Sequence, residues 1–144
     1  MAMDSFLMPV LALIVWTLIV WIWMYATRIP AMQRAKVDPA SAKHPGSLDH
    51  LPSRTRAVAD NYNHLMEQPV IFYALVFYVD LIGHGDTFAL WLAWIYVALR
   101  VIHSFVQNTS NYVPLRFAVF SLATIDLMIL AGREVLTLFG VLAS

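Results

Sequence analysis

Residues 5–27 read SFLMPVLALIVWTLIVWIWMYAT, twenty-three residues without a charge. A helix needs about 20 mainly apolar residues to cross the roughly 30 Å hydrocarbon core of a bilayer. The run is long enough, and it lacks the alternation that marks a barrel strand. It ends at Thr27-Arg28-Ile29-Pro30, a basic stop before a proline. A cleaved signal peptide fits poorly: no basic segment precedes the run, since Asp4 is the only charge there. The run also exceeds the roughly 7–15 apolar residues of such signals, and no small-x-small site closes it. The segment is expected to stay as a membrane anchor.

Outward from this anchor, three more spans can be drawn. With the first placed at about 5–28, a polar stretch from Lys36 to Arg56 follows, holding Pro39, Pro45, Gly46, Ser47 and Pro52. That content makes it a loop at headgroup level. The second span covers about 57–82 and is the weakest by hydropathy. Gly83-His84-Gly85-Asp86 forms a turn before a third span at 87–106. Gln107 to Asn111 makes the next connection, and Pro114 suits the first turn of a fourth span at about 115–141. The expected fold class is all-α: an integral membrane four-helix bundle of left-handed, up-down topology, with residues 1–144 as a single transmembrane domain.

Composition agrees. Of 144 residues, 60% are hydrophobic and 12% charged, about half the charged share of a soluble domain. A net charge of +0 argues against a nucleic-acid partner, which favours a basic surface. With no cysteine there is no disulfide, thiol nucleophile or thiolate metal site, so any thiol chemistry must come from a substrate. Arg28, Arg34, Lys36, Lys43, Arg54 and Arg56 gather around the first loop, and Arg100 and Arg116 bound the third. By the positive-inside rule those loops face the cytoplasm and both termini lie on the opposite side.

The later spans carry charges at helical spacing. Asp60, Asn63, His64 and Glu67 fall at i, i+3, i+4 and i+7, one helix face. Pro69 follows and is expected to kink the helix, because it removes one backbone bond and clashes with the preceding turn, opening room for a ligand or water beside Glu67. Arg100, His103 and Gln107 repeat the pattern on the third span. Ionisable groups at membrane depth usually face a bundle interior or a wet cavity. Plainer readings stand beside this one. Glu67 can serve packing by pairing with an arginine of another helix. Arg100 can snorkel, although its polar neighbours favour an inward course. His103 can be a packed, hydrogen-bonded side chain, Arg116 a topology anchor, and Asp126 a structural partner for another helix. No Glu-x-x-His pattern occurs, so no metal site is expected. Together, Arg28, Arg54, Arg56, Asn63, Glu67, Arg100, His103 and Arg116 suit an anionic, peptide-like ligand with carboxylates and an ammonium group.

The segments NYNHLMEQPVIFY (61–73) and RVIHS (100–104), followed by Arg116, resemble the MAPEG family, the membrane-associated proteins in eicosanoid and glutathione metabolism. The resemblance covers nearly the whole chain and is of a bacterial type, which implies a bacterial inner membrane. It implies a four-helix protomer assembled as a homotrimer, with glutathione as co-substrate bound between protomers near the cytoplasmic side. Glu67 would hold the tripeptide's amino group and Arg116 would stabilise its thiolate as the catalytic residue. The glutathione-binding candidates are Arg28, Asn63, His64, Glu67, Arg100, His103 and Gln107. The chain departs from the family's eicosanoid enzymes in having Asp60 and His64 where they carry arginine and asparagine, Gln107 for a tyrosine, and Phe117 for a hydroxyl residue. Two functions follow. One is a glutathione-dependent transferase or peroxidase acting on lipophilic electrophiles or lipid hydroperoxides. The other is a non-catalytic membrane protein that binds a lipid or small anion or supports a partner protein. A small transporter has little support, because no inverted repeat is visible.

Overall fold

The computed structural model describes residues 5–44 and 46–142. Asp4 and Pro45 lie outside them. Four helices follow one another: α1 (Met8–Arg34), α2 (Ser53–Leu81), α3 (Thr87–Asn108) and α4 (Val113–Leu138). A three-residue 3-10 turn, Pro39–Ser41, interrupts the first loop. Helix α2 packs on the other three, α3 packs on all of them, and α1 meets α2 and α3. Short α2–α3 and α3–α4 connections make those neighbours antiparallel. The chain is an all-α four-helix bundle.

Three of the helices are long and apolar enough to cross a membrane: α1, α3 and α4, with mean hydropathies of 2.1, 1.6 and 1.8. The protein is thus an integral, multi-pass membrane protein. Helix α2 misses that threshold because Arg54, Arg56, Asp60, Glu67 and Asp80 lie along it, yet it sits among the other three.

The helix ends follow local chemistry. Pro9 and Pro114 occupy first-turn positions, where an N–H has no helical partner to lose. The Asp86 carboxylate caps α3 by accepting from Ala89 N–H at 2.8 Å. Helix α2 closes with Gly83 at φ +76°, while Gly83 N–H donates to Asp80 C=O and His84 N–H to Val79 C=O. That is a Schellman closure, in which glycine accepts the left-handed turn without strain. Several ends differ from the sequence expectation: α3 continues through Gln107 and Asn108, residues of the expected connection, and α4 runs from Val113 to Leu138. Helix α1 does not stop before Pro30 but runs through it to Arg34. A proline in a helix forfeits one backbone bond, and at the membrane edge water can satisfy the freed carbonyl. Helix α2 starts at Ser53, four residues before the expected span, and stays continuous through Pro69.

The apolar core joins all four helices. On α2 the inward stripe is Asn61, Leu65, Pro69, Phe72, Val76 and Val79, at the i, i+4, i+8 and i+11 spacing of one helix face. Phe72 is fully buried and stacks on Tyr96 with ring centroids 4.5 Å apart. On α4 the matching stripe is Val119, Ala123, Asp126, Leu127, Leu130 and Glu134. Trp16 Nε1 donates to Ser104 Oγ at 3.1 Å and ties α1 to α3.

Candidate functional site

Because α2 turns its Asn61–Leu65–Phe72 stripe inward, the face carrying Asp60, Asn63 and Glu67 points out of the bundle. The Glu67 side chain is 68% exposed. An outward acid on a helix surrounded by apolar spans is costly against lipid, so this face calls for a polar neighbour.

Two cavities flank α2. The first, about 540 Å³, lies between the end of α1, the polar loop and the start of α2. Arg28, Lys43, His44 and Arg56 line it with Asp49, Asp60 and Asn63, so its walls are mainly basic. The second, about 240 Å³, lies between α2, α3 and the first turns of α4. His64, Glu67, His103 and Arg116 line it, with Val113, Phe117 and Phe120 as its apolar wall. Of the sequence candidates, Arg28 and Asn63 therefore fall in one cavity, and His64, Glu67, His103 and Arg116 in the other. The two share no lining residue.

Each charged group of the second cavity is positioned locally. His64 Nδ1 lies 3.3 Å from Glu67 Oε2, one turn on. The His64 and His103 rings meet edge to face at 6.2 Å. Arg116 sits in the first turn of α4, and its Nη1 donates to Asn111 Oδ1 at 2.7 Å. Asn111 adopts a φ of +49° at the α3–α4 turn, a conformation asparagine tolerates better than most residues. One edge of the guanidinium is thereby fixed.

Arg100 and Gln107 line neither cavity. Arg100 is fully buried. Its Nη2 donates to His64 C=O at 2.9 Å, and its guanidinium lies 5.6 Å from the Phe120 ring centre. Its Nε and Nη1 have no partner, nor do Asn61 Nδ2 and Oδ1, His103 Nδ1, Gln107 Oε1, or Asn108 Nδ2 and Oδ1. Buried polar groups are nearly always hydrogen-bonded. These unpaired groups lie on α2 and α3 and have capacity for further bonds; of them His103 also lines the second cavity. Arg100 takes the inward course and reaches a backbone carbonyl; no hydrogen bond joins it to Glu67 among the described residues.

Sequence reasoning passed over several of these residues. Asn61 and Asn108 had a legible signal: Asn61 continues the buried α2 stripe, and Asn108 lies one turn beyond Ser104. The loop residues Lys43, His44 and Asp49 had none, because their approach to Arg28 depends on how the loop folds back.

Comparisons agree with this architecture. Neither the curated proteins nor the solved structures provide a match. The model of the MAPEG family matches residues 6–136, from just before α1 to two residues short of the end of α4. With the match spanning all four helices, the chain belongs to the MAPEG family.

Proposed function

We propose that this protein is a membrane-embedded glutathione-dependent transferase or peroxidase acting on lipophilic electrophiles or lipid hydroperoxides. The observation that carries the reading is the shared cavity of His64, Glu67, His103 and Arg116, together with the unpaired buried polar groups of α2 and α3. Glu67 is placed to accept the ammonium of the tripeptide. Arg116 suits a thiolate, whose charge a guanidinium stabilises, so that more of the thiol is in its nucleophilic form. In conjugation the sulfur forms a bond to an electrophilic carbon, and the leaving group or opened epoxide oxygen departs with its electron pair and takes up a proton. With a hydroperoxide the thiolate attacks the outer oxygen and the alcohol leaves. A second glutathione then displaces the hydroxyl from sulfur as water, giving the disulfide.

A homotrimer belongs to this proposal. Setting the Arg28–Asn63 cavity of one protomer against the Glu67–Arg116 cavity of the next would cover the outward acids of α2 and bring basic groups to the tripeptide's carboxylates. In this proposal the first loop, where basic residues concentrate, faces the cytoplasm across a bacterial inner membrane with both termini opposite; the positive-inside rule supports that orientation.

The test is glutathione binding and thiolate absorbance with purified protein in micelles, beside Glu67→Gln and Arg116→Ala. Weaker binding in the first variant and a reduced thiolate fraction in the second are expected. The alternative, a non-catalytic membrane protein, draws on the Asn111–Arg116 bond, which gives the arginine a structural role of its own. No glutathione binding at millimolar concentration would favour it.

A further inference from the structure

A separate pair of cavities lies along α1. One, of about 390 Å³, is walled by Trp21, Ile22, Tyr25 and Ile29. The other, of about 600 Å³, reaches from Thr27 and Ala31 past Arg34 to Pro52 and Arg54 at the start of α2. Ala26 and Pro30 line both, so the two form one trough. Small side chains on one face and the proline's forfeited backbone bond create it at the turn where α1 passes Pro30.

The trough is graded in chemistry. Its inner part is mainly apolar, and Trp21 packs edge-on against Tyr25 with centroids 4.8 Å apart. Its outer part ends between two guanidinia, Arg34 in the last turn of α1 and Arg54 in the first turn of α2. No carboxylate lines either part among the described residues. The start of α2 adds partial positive charge, because its first N–H groups lack helical partners and Pro52 supplies no side-chain cap. From Ile22 to Arg34 is twelve residues, about 18 Å of helix, close to the depth of one leaflet's hydrocarbon.

We infer that this trough is a binding site for one anionic phospholipid, its acyl chain along the Ile22–Ile29 face and its phosphate between Arg34 and Arg54. The apolar length selects a lipid over a soluble anion. The two cations select a headgroup with net negative charge over a zwitterionic one. The site shares no lining residue with the two cavities of the proposed glutathione chemistry.

Native mass spectrometry of delipidated protein, titrated with phosphatidylglycerol and with phosphatidylcholine, tests this. Wild type should retain the first about tenfold better or more, the preference two interfacial cations supply. Arg34→Gln with Arg54→Gln should abolish the preference, whereas Lys36→Gln with Lys43→Gln, an equal charge loss in the same loop, should keep it. Ala26→Trp, which fills the trough, should weaken retention of both lipids. Excess inorganic phosphate should not displace the lipid. Equal retention of the two lipids by wild type, an equal effect of the two double variants, undiminished binding to Ala26→Trp, or displacement by phosphate would each overturn the proposal.

Discussion

Replacing Arg100 with methionine should stabilise the ligand-free protein. The guanidinium is fully buried, and removing an ion from water costs several kcal/mol even after relaxation. It recovers one charge-assisted hydrogen bond, from Nη2 to His64 C=O, of about 1.5–3 kcal/mol. The contact with Phe120 adds about 1 kcal/mol. Nε and Nη1 remain unpaired, each costing about 1–3 kcal/mol. The backbone carbonyl of His64 would lose little, since it lies within α2 and has a second lone pair. Methionine follows most of the arginine's stem and is flexible enough to fill the space. The balance favours Arg100→Met by about 1–4 kcal/mol, the range seen when buried ionic groups give way to apolar ones. Reversible unfolding by SDS in mixed micelles without glutathione reads this directly. Adding glutathione should raise wild-type stability, by about 2.7 kcal/mol at a hundredfold excess over Kd, and raise that of the variant similarly, because Arg100 lines neither cavity. A loss of about 2 kcal/mol or more in the ligand-free variant would refute the reasoning, because it would make the guanidinium a net structural support.

Other outcomes follow from the opposite end of the bundle and from the core. His84 Nδ1 lies 2.7 Å from Glu134 Oε2, with the glutamate side chain only 5% exposed and its Oε1 unpaired; His84→Leu should cost about 3–5 kcal/mol, and adding Glu134→Leu should restore most of it in the same unfolding assay. Arg133 holds Asp86 through two bonds of 2.7 and 2.8 Å. Burial opposes ionisation of Asp86, but the Ala89 N–H and the Arg133 guanidinium outweigh it and hold the carboxyl below its ordinary value. The resulting stabilisation is present above the unfolded carboxylate value of about 3.9 and is lost as pH falls through the lower folded value. Asp86→Asn should therefore flatten the acid limb of unfolding midpoint against pH, and unchanged acid limbs would contradict that assignment. Phe72→Ala, which removes a fully buried ring stacked on Tyr96, should cost about 3–5 kcal/mol, measured by SDS unfolding.

The charge-free run at 5–27 made the membrane character legible without any structure, because bilayer thickness fixes the helix length it requires. The glycine and proline clusters located the turns, since few residues accept those backbone angles. Helical spacing also grouped Asp60, Asn63, His64 and Glu67 on one face. Spacing does not say which way a face points. Whether that face turns inward was decided by the competing stripe from Asn61 to Val79, which packs against α1, α3 and α4 and leaves Glu67 outside. Likewise, the sequence set Arg28 and Arg116 in one basic inventory. Tertiary packing put them in separate cavities along α2, because side chains distant along the chain meet only where helix packing and loop return bring their backbones together. Pro30 makes the same point: its missing N–H follows from its identity, but only the continuation of α1 beside the start of α2 turned it into the floor of a trough between two arginines.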